Sequence, residues 1–168
     1  MTKIIVYIAS SLDGYIAREN GEIDWLPESS ESSYDSFYQS VDTVIMGRTT
    51  YDQVITFGEY PYKDKKSFVF TRVSKNNDDN VEFVSDVEKF VKDDFPGVGE
   101  NTWLVGGGKL IASFLKLGVV DEIITTVIPI LLGKGIPLFQ NIENETKLEL
   151  VKTEKYGQLA DLHYKVLK

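Results

Sequence analysis

Two strand–glycine–helix junctions constrain the fold of this chain more than any other feature. They span residues 44–50 and 104–110, and in each a short apolar run typical of a buried strand passes through glycine into a helix-forming segment. A helix that follows a parallel strand in this way points its free N–H groups at the carboxyl edge of the sheet. Such a helix end carries a partial positive charge and binds phosphate. The pair therefore predicts an α/β protein with two anion-binding helix ends on one sheet edge.

The residues at these junctions are candidates for binding the two halves of a dinucleotide. They are Gly47, Arg48, Thr49 and Thr50 at the first junction, and Gly106, Gly107, Gly108, Lys109 and Leu110 at the second. Glycine lacks a Cβ, so backbone amides can approach a phosphate closely, and the basic residue at each junction adds a full positive charge. The alternative is that these glycines only form tight turns.

Neither junction matches the best-known phosphate-binding loops. Walker A requires Ser or Thr after Gly-Lys, where this chain has Leu110, and the G-x-G-x-x-G fingerprint requires a glycine where Ile111 stands. A further candidate follows the apolar run at residues 67–70. Thr71 offers a hydroxyl and Arg72 a guanidinium that can clamp a phosphate. An exposed arginine in a loop is the alternative for Arg72.

The remaining hydrophobic pattern predicts strands that alternate with helices. Apolar runs predict strands at residues 3–9, 43–46, 67–71, 81–84, 102–105 and 122–130. Helical periodicity predicts helices at residues 31–40, 49–55, 87–91 and 109–117. The tail alternates with period two around a turn at residues 156–157. We therefore expect one domain over residues 1–168, a three-layer α/β sandwich with a mostly parallel central sheet and a C-terminal antiparallel hairpin.

Composition excludes several classes of chemistry. The chain has no cysteine, so disulfides, thiolate nucleophiles and cysteine-based zinc sites are impossible, and we expect no metal. The single histidine, His163, alternates with Leu162 and Tyr164 on the last predicted strand, which favours a structural role. A formal net charge of −8 disfavours a nucleic-acid partner. Since no apolar run approaches the ~20 residues of a membrane span, we expect a cytoplasmic protein with no membrane partner.

The polar segment after the first predicted strand carries candidate substrate-binding groups. Trp25 lies outside any strong periodicity, and it either plugs the core or lines a pocket. Asp24, Glu31 and Asp35 are candidate acids, although each can equally be a solvated carboxylate. Their position predicts that any substrate pocket opens beside this segment.

Together with two other segments, the junctions resemble a known family. The matching segments are residues 9–17, 44–51, 105–108 and 128–139, in that order. Over nearly its full length the chain resembles the dihydrofolate reductase superfamily, and more closely the reductase domain of the riboflavin-biosynthesis deaminase/reductase, the RibD C-terminal domain. The resemblance implies the dihydrofolate-reductase fold and hydride transfer from NADPH to a C=N or C=O carbon. It also implies a small-molecule substrate, with a pyrimidine of the riboflavin pathway as one candidate.

The resemblance also implies where NADPH lies. Residues 47–50, Thr71 and Arg72 would serve its adenosine side and phosphates, and residues 106–110 would cradle the pyrophosphate. Ala9 and Ile16 would border the nicotinamide. The residues implied at the substrate pocket are Asp13, Asp24, Trp25, Glu31 and Phe37.

Three departures from the family pattern concern the substrate side. Dihydrofolate reductases carry an acid four residues before a helical phenylalanine, and the matching position here is Ser33. Riboflavin-type reductases typically have Glu just before the glycine-rich turn and Ser two residues before the tryptophan, where this chain has Val105 and Ile23. The cofactor half of the pattern is therefore kept and the substrate half is altered. Ser33 is too weak an acid to protonate a pterin, so dihydrofolate is expected to be a poor substrate.

The residues leave two questions open. The first is whether the protein is an enzyme or a non-catalytic NADP-binding module. The second concerns assembly, because riboflavin-type reductases are usually homodimers and a homodimer is expected here. Residues 123–132 are more apolar than an edge strand should be, which indicates either a central strand or a buried interface.

Overall fold

A computed structural model describes residues 2–28, 33–73 and 78–168. The strands are β1 (Lys3–Ser11), β2 (Tyr15–Ala17), β3 (Thr43–Gly47), β4 (Lys66–Phe70), β5 (Glu82–Val84), β6 (Asn101–Gly106), β7 (Glu122–Ile128), β8 (Ile136–Pro137), β9 (Leu148–Tyr156) and β10 (Leu159–Val166). The helices are α1 (Tyr34–Ser40), α2 (Arg48–Val54), α3 (Val87–Lys89) and α4 (Gly108–Lys116). Short 3₁₀ or π-helical turns follow α2 and α3 at Ile55–Phe57, Phe90–Asp94 and Phe95–Gly97.

Eight strands form one sheet in the order β5-β4-β3-β6-β1-β7-β10-β9. In this order, the first six strands, β5, β4, β3, β6, β1 and β7, all pair in parallel with their neighbours. β10 runs antiparallel to both β7 and β9. The predicted mostly parallel sheet with a C-terminal antiparallel hairpin is therefore confirmed.

Buried side chains alternate along β1 between the two faces of the sheet. Ile4 and Val6 belong to one apolar cluster, to which α4 contributes Phe114. Tyr7 belongs to the other, to which α1 contributes Phe37. Helices cover both faces, so the three-layer arrangement follows directly from the period-two pattern of the strands.

The strongly apolar segment that left two interpretations open is a central strand. β7 lies between β1 and β10, and pairs with both along most of its length. Strands in such positions are buried on both faces and read as continuous apolar runs. The hydrophobicity of β7 therefore requires no subunit interface.

The observed elements differ from the predicted ones where backbone chemistry ends them. β7 stops at Ile128 because Pro129 has no N–H for the ladder. The predicted helix at 87–91 narrows to α3 and continues as irregular turns toward Pro96. The paired strands β2 and β8, of three and two residues, are too short to produce a recognisable pattern. The helix predicted from residue 31 begins at Tyr34, and residues 31 and 32 lie outside the described part of the chain.

His163 is held by an acidic neighbour on the adjoining strand. Its Nε2 lies 2.7 Å from Oε2 of Glu122 on β7, and Lys3 Nζ lies 2.5 Å from the other oxygen of that carboxylate. Burial favours a higher pKa for Glu122, but the contacts with Lys3 and His163 outweigh it and lower the pKa. These contacts give His163 the structural role that its alternation predicts.

Two searches of the described residues had negative results. No helix among them is long and apolar enough to cross a bilayer. No group of three or more His, Asp or Glu side chains among them is arranged to hold a metal ion.

Candidate functional site

The two glycine junctions meet at the carboxyl edge of the sheet. β3 and β6 are neighbours, and Met46 is in register with Gly106. A Cβ on Gly47 would lie 3.7 Å from the carbonyl oxygen of Gly106 and 3.7 Å from the amide nitrogen of Gly107. The first N–H groups of α2 and α4 therefore lie close together, on opposite faces of one edge.

Gly107 and Gly108, adjacent in the second junction, differ in how much space a side chain would have. A Cβ on Gly107 would meet nothing closer than Thr50 Oγ1 at 3.9 Å, so the space in front of it is open. A Cβ on Gly108 would lie 2.8 Å from the carbonyl oxygen of Pro137 and 2.6 Å from Nε2 of Gln140. Packing thus explains the absence of a side chain at Gly108. It does not explain the glycine at 107.

The predicted basic residues differ in how far their charge is available. Arg48 Nε donates to Asp52 Oδ1 at 2.7 Å, so its charge is shared within α2. Lys109, in the first turn of α4, and Arg72, just after β4, are both exposed. The side chain of Leu110 is 8% exposed and belongs to the core, so only its backbone can face a ligand.

A broad open depression of about 1000 Å³ lies beside β4 and β5. Thr71 and Arg72 line one part of it, and Lys63, Lys65 and Lys66 line another. Among the described residues that form it, none belongs to either glycine junction. The depression therefore adjoins the predicted phosphate-binding edge at Arg72 and does not coincide with it.

The end of β1 lies beside the second junction. Ile8 Cδ1 is 3.5 Å from the position that a Cβ on Gly106 would take. Ala9, which follows it, is half-buried and in register with Thr126 on β7. Ile16 on β2 is also half-buried and packs partly against the core. Both residues predicted to border the nicotinamide thus lie near the edge where the junctions meet.

Two acids predicted at the substrate pocket are engaged in structural contacts instead. Asp13 accepts hydrogen bonds from the Ser11 hydroxyl at 2.6 Å and from the backbone N–H of Gly133 at 2.8 Å. The Ser11 hydrogen bond is the main cause that lowers the pKa of Asp13. Asp24 accepts from Arg18 Nε at 2.6 Å, which lowers its pKa. These contacts give both carboxylates partners within the protein, and their place at the substrate pocket stays a prediction.

The other predicted pocket residues divide three ways. Phe37 is 8% exposed and stacks on Tyr7 with ring centroids 4.4 Å apart, so it packs in the core, and a role at the pocket stays a prediction. Trp25 is half-buried, and its indole N–H is shielded from solvent with no acceptor among the residues that the structure describes. Glu31 lies outside the described residues.

The structure brings together a polar cluster that the sequence analysis missed. Asp161 on β10 is 5% exposed, and its Oδ1 accepts a hydrogen bond from Thr126 Oγ1 on β7 at 2.7 Å. The Ser33 hydroxyl, at the N-cap of α1, donates to the other oxygen, Oδ2. Tyr7 OH lies 3.1 Å from Ser33 Oγ. A carboxylate therefore contacts the position where the family pattern has an acid and this chain has Ser33.

A sequence signal for Asp161 exists but is weak. Asp161 shares a strand face with His163 and Lys165, which marks it as one of three ionisable residues on that face. The pattern says nothing of its partner Ser33, which is 128 positions away in the chain. Only the antiparallel register of β10 with β7 places the carboxylate opposite Thr126.

Apolar and phenolic groups surround this cluster. Val105, which stands where riboflavin-type reductases typically have Glu, packs against the aromatic cluster around Tyr7. The ring of Tyr34 lies 6.1 Å from that of Tyr7. Burial raises the pKa of Tyr34, and the charge of Asp35 adds to the effect, so its phenol stays neutral at neutral pH. The side chains that contact the Asp161 carboxylate, Ser33 and Thr126, are therefore uncharged hydroxyls with apolar and phenolic neighbours.

Comparison with known proteins agrees with this architecture. A family model described as the RibD C-terminal domain matches residues 64–161, more than half of the chain. The uncharacterized protein YwjB of Bacillus subtilis (strain 168) is 45% identical over 168 residues, which cover 96% of this chain and 97% of YwjB.

Solved structures share the fold. One described as a riboflavin biosynthesis protein from Shewanella sp. PV-4 has a TM-score of 0.87 and 32% identity, covering 99% of this chain and 100% of that one. The deaminase/reductase of Thermotoga maritima, named for 5-amino-6-(5-phosphoribosylamino)uracil, has a TM-score of 0.75 and 17% identity, covering 99% of this chain and 57% of its own. A dihydrofolate reductase from Enterococcus faecalis, complexed with NADP(H), has a TM-score of 0.69 and 19% identity, covering 99% and 97%.

The Thermotoga maritima and Enterococcus faecalis proteins are less than 25% identical to this chain, so their similarity supports the fold alone. The family match and the relative with 45% identity are more specific, because together they extend over almost the whole chain. The chain belongs to the RibD C-terminal domain family and has the fold of the dihydrofolate reductases.

Proposed function

We propose that this protein is an NADPH-dependent reductase of a small heterocyclic or carbonyl compound. The observation that carries the proposal is the meeting of the two glycine junctions, with Gly47 against Gly106 and open space in front of Gly107. Two helix N-termini at one sheet edge are suited to a ligand with two phosphate-bearing halves.

The residues at this edge fit such a cofactor. The first amides of α4 have no carbonyl partner inside the helix, since the first intrahelical bond runs from Ile111 N to the Gly107 carbonyl. They and the open face of Gly107 would hold the pyrophosphate, while Arg72 would contact the phosphate that distinguishes NADPH from NADH. Ala9 and Ile16 would border the nicotinamide ring. When bound, NADPH supplies the hydride.

The proposed substrate side is the cluster formed by Ser33, Thr126 and Asp161. Small half-buried Ala9 separates this cluster from the glycine edge, because Ala9 and Thr126 are in register on neighbouring strands. A planar ring seated against Ala9 would thus lie between the cofactor edge and the carboxylate. A riboflavin-pathway pyrimidine resembling 5-amino-6-(5-phosphoribosylamino)uracil, the compound that names one structural neighbour, is a candidate.

The experiment is a fluorescence titration with NADPH and NADH, followed by measurement of NADPH oxidation with that pyrimidine and with a fractionated metabolite extract. Preferential NADPH binding and oxidation by one fraction would support the reductase. Binding without oxidation by any fraction would favour a non-catalytic NADP-binding module. Absence of NADPH binding would contradict both.

We also propose a homodimer, as expected from the family. The argument from the apolar β7 no longer applies, because β7 is a central strand. Support comes instead from the edge strand β9, on which Leu148, Leu150 and Val151 are 39%, 55% and 55% exposed. An exposed apolar edge of this kind is a ready site for association. Light scattering tests the proposal, and a monomer at micromolar concentration would contradict it.

A further inference from the structure

The carboxylate of Asp161 is buried without a cation. Its polar contacts among the described residues are the hydroxyls of Thr126, at 2.7 Å, and Ser33. No lysine, arginine or histidine in the described part of the chain forms an ion pair with it. Burying an ionised carboxylate is costly unless an opposite charge or several hydrogen-bond donors compensate for the lost water.

A second carboxylate on the same strand pair shows the contrast. Glu122, at the other end of β7, is contacted by Lys3 Nζ at 2.5 Å and by His163 Nε2 at 2.7 Å. The acid that faces Asp161 in register on β9 is Glu154, and Lys152 Nζ contacts Glu154. Neighbouring acids thus have basic partners within the protein, whereas Asp161 has neutral hydroxyls.

The hydroxyls are arranged as donors toward this carboxylate. Ser33 has one hydroxyl hydrogen, and it is donated to Asp161 Oδ2, so Tyr7 OH is left to donate to Ser33 Oγ at 3.1 Å. Thr126 donates to Oδ1. Each oxygen of Asp161 thus accepts one hydrogen bond from a neutral hydroxyl. Since a carboxylate has about four acceptor positions, and the described hydroxyls occupy one on each oxygen, acceptor capacity remains on both oxygens.

The position of Asp161 allows a ligand to reach that capacity. Asp161, Thr126 and Ala9 are in register across β10, β7 and β1, which places their side chains in one row on the same sheet face. Ser33 and Ala9, at the two sides of this row, are half-buried and therefore in part accessible to solvent. A flat molecule lying along the row would bring its edge to the carboxylate.

We propose that Asp161 is the substrate-recognition carboxylate of this site, and that it takes the N–C–N donor edge of an amidine- or guanidine-like heterocycle such as an aminopyrimidine. Two adjacent N–H donors match the two oxygens of a carboxylate, and a protonated ring supplies the missing positive charge. The inference rests on the proposed function for the identity of the site. The residue is supplied by the last strand and replaces, in space, the acid that the helix position of Ser33 lacks.

The competing explanation is that Asp161 only ties α1 to β10 through Ser33. If so, substituting Asp161 should change the stability of the protein. Ligand affinity should not depend on whether residue 161 carries a charge. Asp161→Asn separates the two, because an amide has nearly the same shape and can still accept from Thr126. Asp94→Asn, at an exposed acid that follows α3, is the matched control.

The probe is 2,4-diaminopyrimidine, titrated by calorimetry with and without saturating NADPH, and unsubstituted pyrimidine is the comparison compound. We expect the natural protein and Asp94→Asn to bind the diamino compound equally. Asp161→Asn should bind it at least about tenfold more weakly, since a charge-assisted pair is lost. NADPH affinity should stay the same in all three proteins, and the diamino compound should bind the natural protein more tightly than pyrimidine.

A relocation variant keeps the test decisive if Asp161→Asn folds poorly. Ser33→Asp combined with Asp161→Ser moves the carboxylate across its own hydrogen bond from strand to helix, and should bind the diamino compound within about threefold of the natural protein. Equal binding by Asp161→Asn, or no binding by the natural protein, would overturn the proposal. These outcomes differ from failure of the proposed function, which would appear as absent NADPH binding while the titrations without NADPH still decide the role of Asp161.

Discussion

The two sides of the candidate site are built from different materials. The cofactor edge consists of backbone, in which two glycine junctions of a few consecutive residues each bring helix N–H groups to the ends of β3 and β6. The substrate side consists of side chains from three distant points of the chain, at Ser33, Thr126 and Asp161. A site formed by backbone depends on the conformation of a short segment, so few substitutions alter it. A site formed by side chains that are distant in the chain can be altered by single substitutions. This difference explains how the family pattern can be kept on one side and altered on the other.

The largest expected effect comes from a substitution that blocks the proposed cofactor edge and leaves the proposed substrate side unchanged. Gly107→Val should weaken NADPH binding by about a hundredfold or more, which corresponds to ~2.7 kcal/mol. The reason is that the new side chain fills open space at the edge, and its Cβ would be 3.9 Å from the nearest atom, Thr50 Oγ1. Fluorescence titration measures affinity and thermal melting checks the fold. Undiminished affinity in a folded variant would remove the assignment of Gly107 to the cofactor.

The next effect tests charge at the same edge. Arg72→Ala should weaken NADPH binding by about ten- to a hundredfold and leave NADH binding unchanged, because one charge-assisted phosphate contact is lost. Lys66→Ala is the control, since Lys66 is exposed at the other end of β4. The two cofactors are titrated against each protein. A variant at Arg72 that still prefers NADPH as strongly as the natural protein would contradict the prediction.

A third substitution tests whether Gly108 serves packing, in contrast to the proposed cofactor role of Gly107. Gly108→Ala should destabilise the fold by ~1–3 kcal/mol, because its Cβ would press on the carbonyl oxygen of Pro137 at 2.8 Å. Urea unfolding measures the change. Adding Gln140→Ala should not restore stability, because the backbone carbonyl oxygen of Pro137 still lies 2.8 Å from the new Cβ. Normal stability with impaired NADPH binding would place Gly108 with Gly107.

The smallest effect concerns the carboxylate with basic partners, at the end of β7 remote from Asp161. The folded-state pKa of Glu122 is lowered, so its contribution to stability is present above the unfolded pKa of about 4.3 and is lost as pH falls through the folded value. Glu122→Gln should cost ~1 kcal/mol near neutral pH, because Lys3 is partly exposed and screened. Urea unfolding between neutral pH and pH ~3 should show this deficit shrinking toward zero. Exposed Glu149→Gln on β9 serves as control, and a deficit independent of pH would contradict the ionic origin.

Most of the fold was predictable because it depends on local patterns. The apolar runs of β1, β3 and β6 and the glycines that end β3 and β6 are each visible within ten residues, and these strands lie at nearly the predicted bounds. The errors fall where the signal is short or is set by a partner. β2 and β8 exist only because they pair with each other, and β7 ends early because Pro129 breaks the ladder.

The site was predicted less evenly. Asp24 was a candidate acid as a carboxylate in a polar loop, and the family resemblance implied Asp13 at the pocket; nearby donors at Arg18 and Ser11 contact these two carboxylates. Phe37 matched a family position, yet helical periodicity turns it into the aromatic core. The expectation that dihydrofolate is a poor substrate rested on Ser33 alone. Asp161 beside Ser33 removes that ground, since a carboxylate is present at the same place from another strand.

By itself the sequence determined an α/β sandwich and a glycine-lined edge suited to a dinucleotide, because strand, turn and helix N-terminus are properties of consecutive residues. It also determined that no thiol chemistry occurs, since the chain has no cysteine. Only the tertiary structure decided which acid lies beside Ser33. That choice depends on the register of β10 against β7 and on the placement of α1 over β1, and contacts between residues 128 positions apart leave no periodic trace in a single sequence.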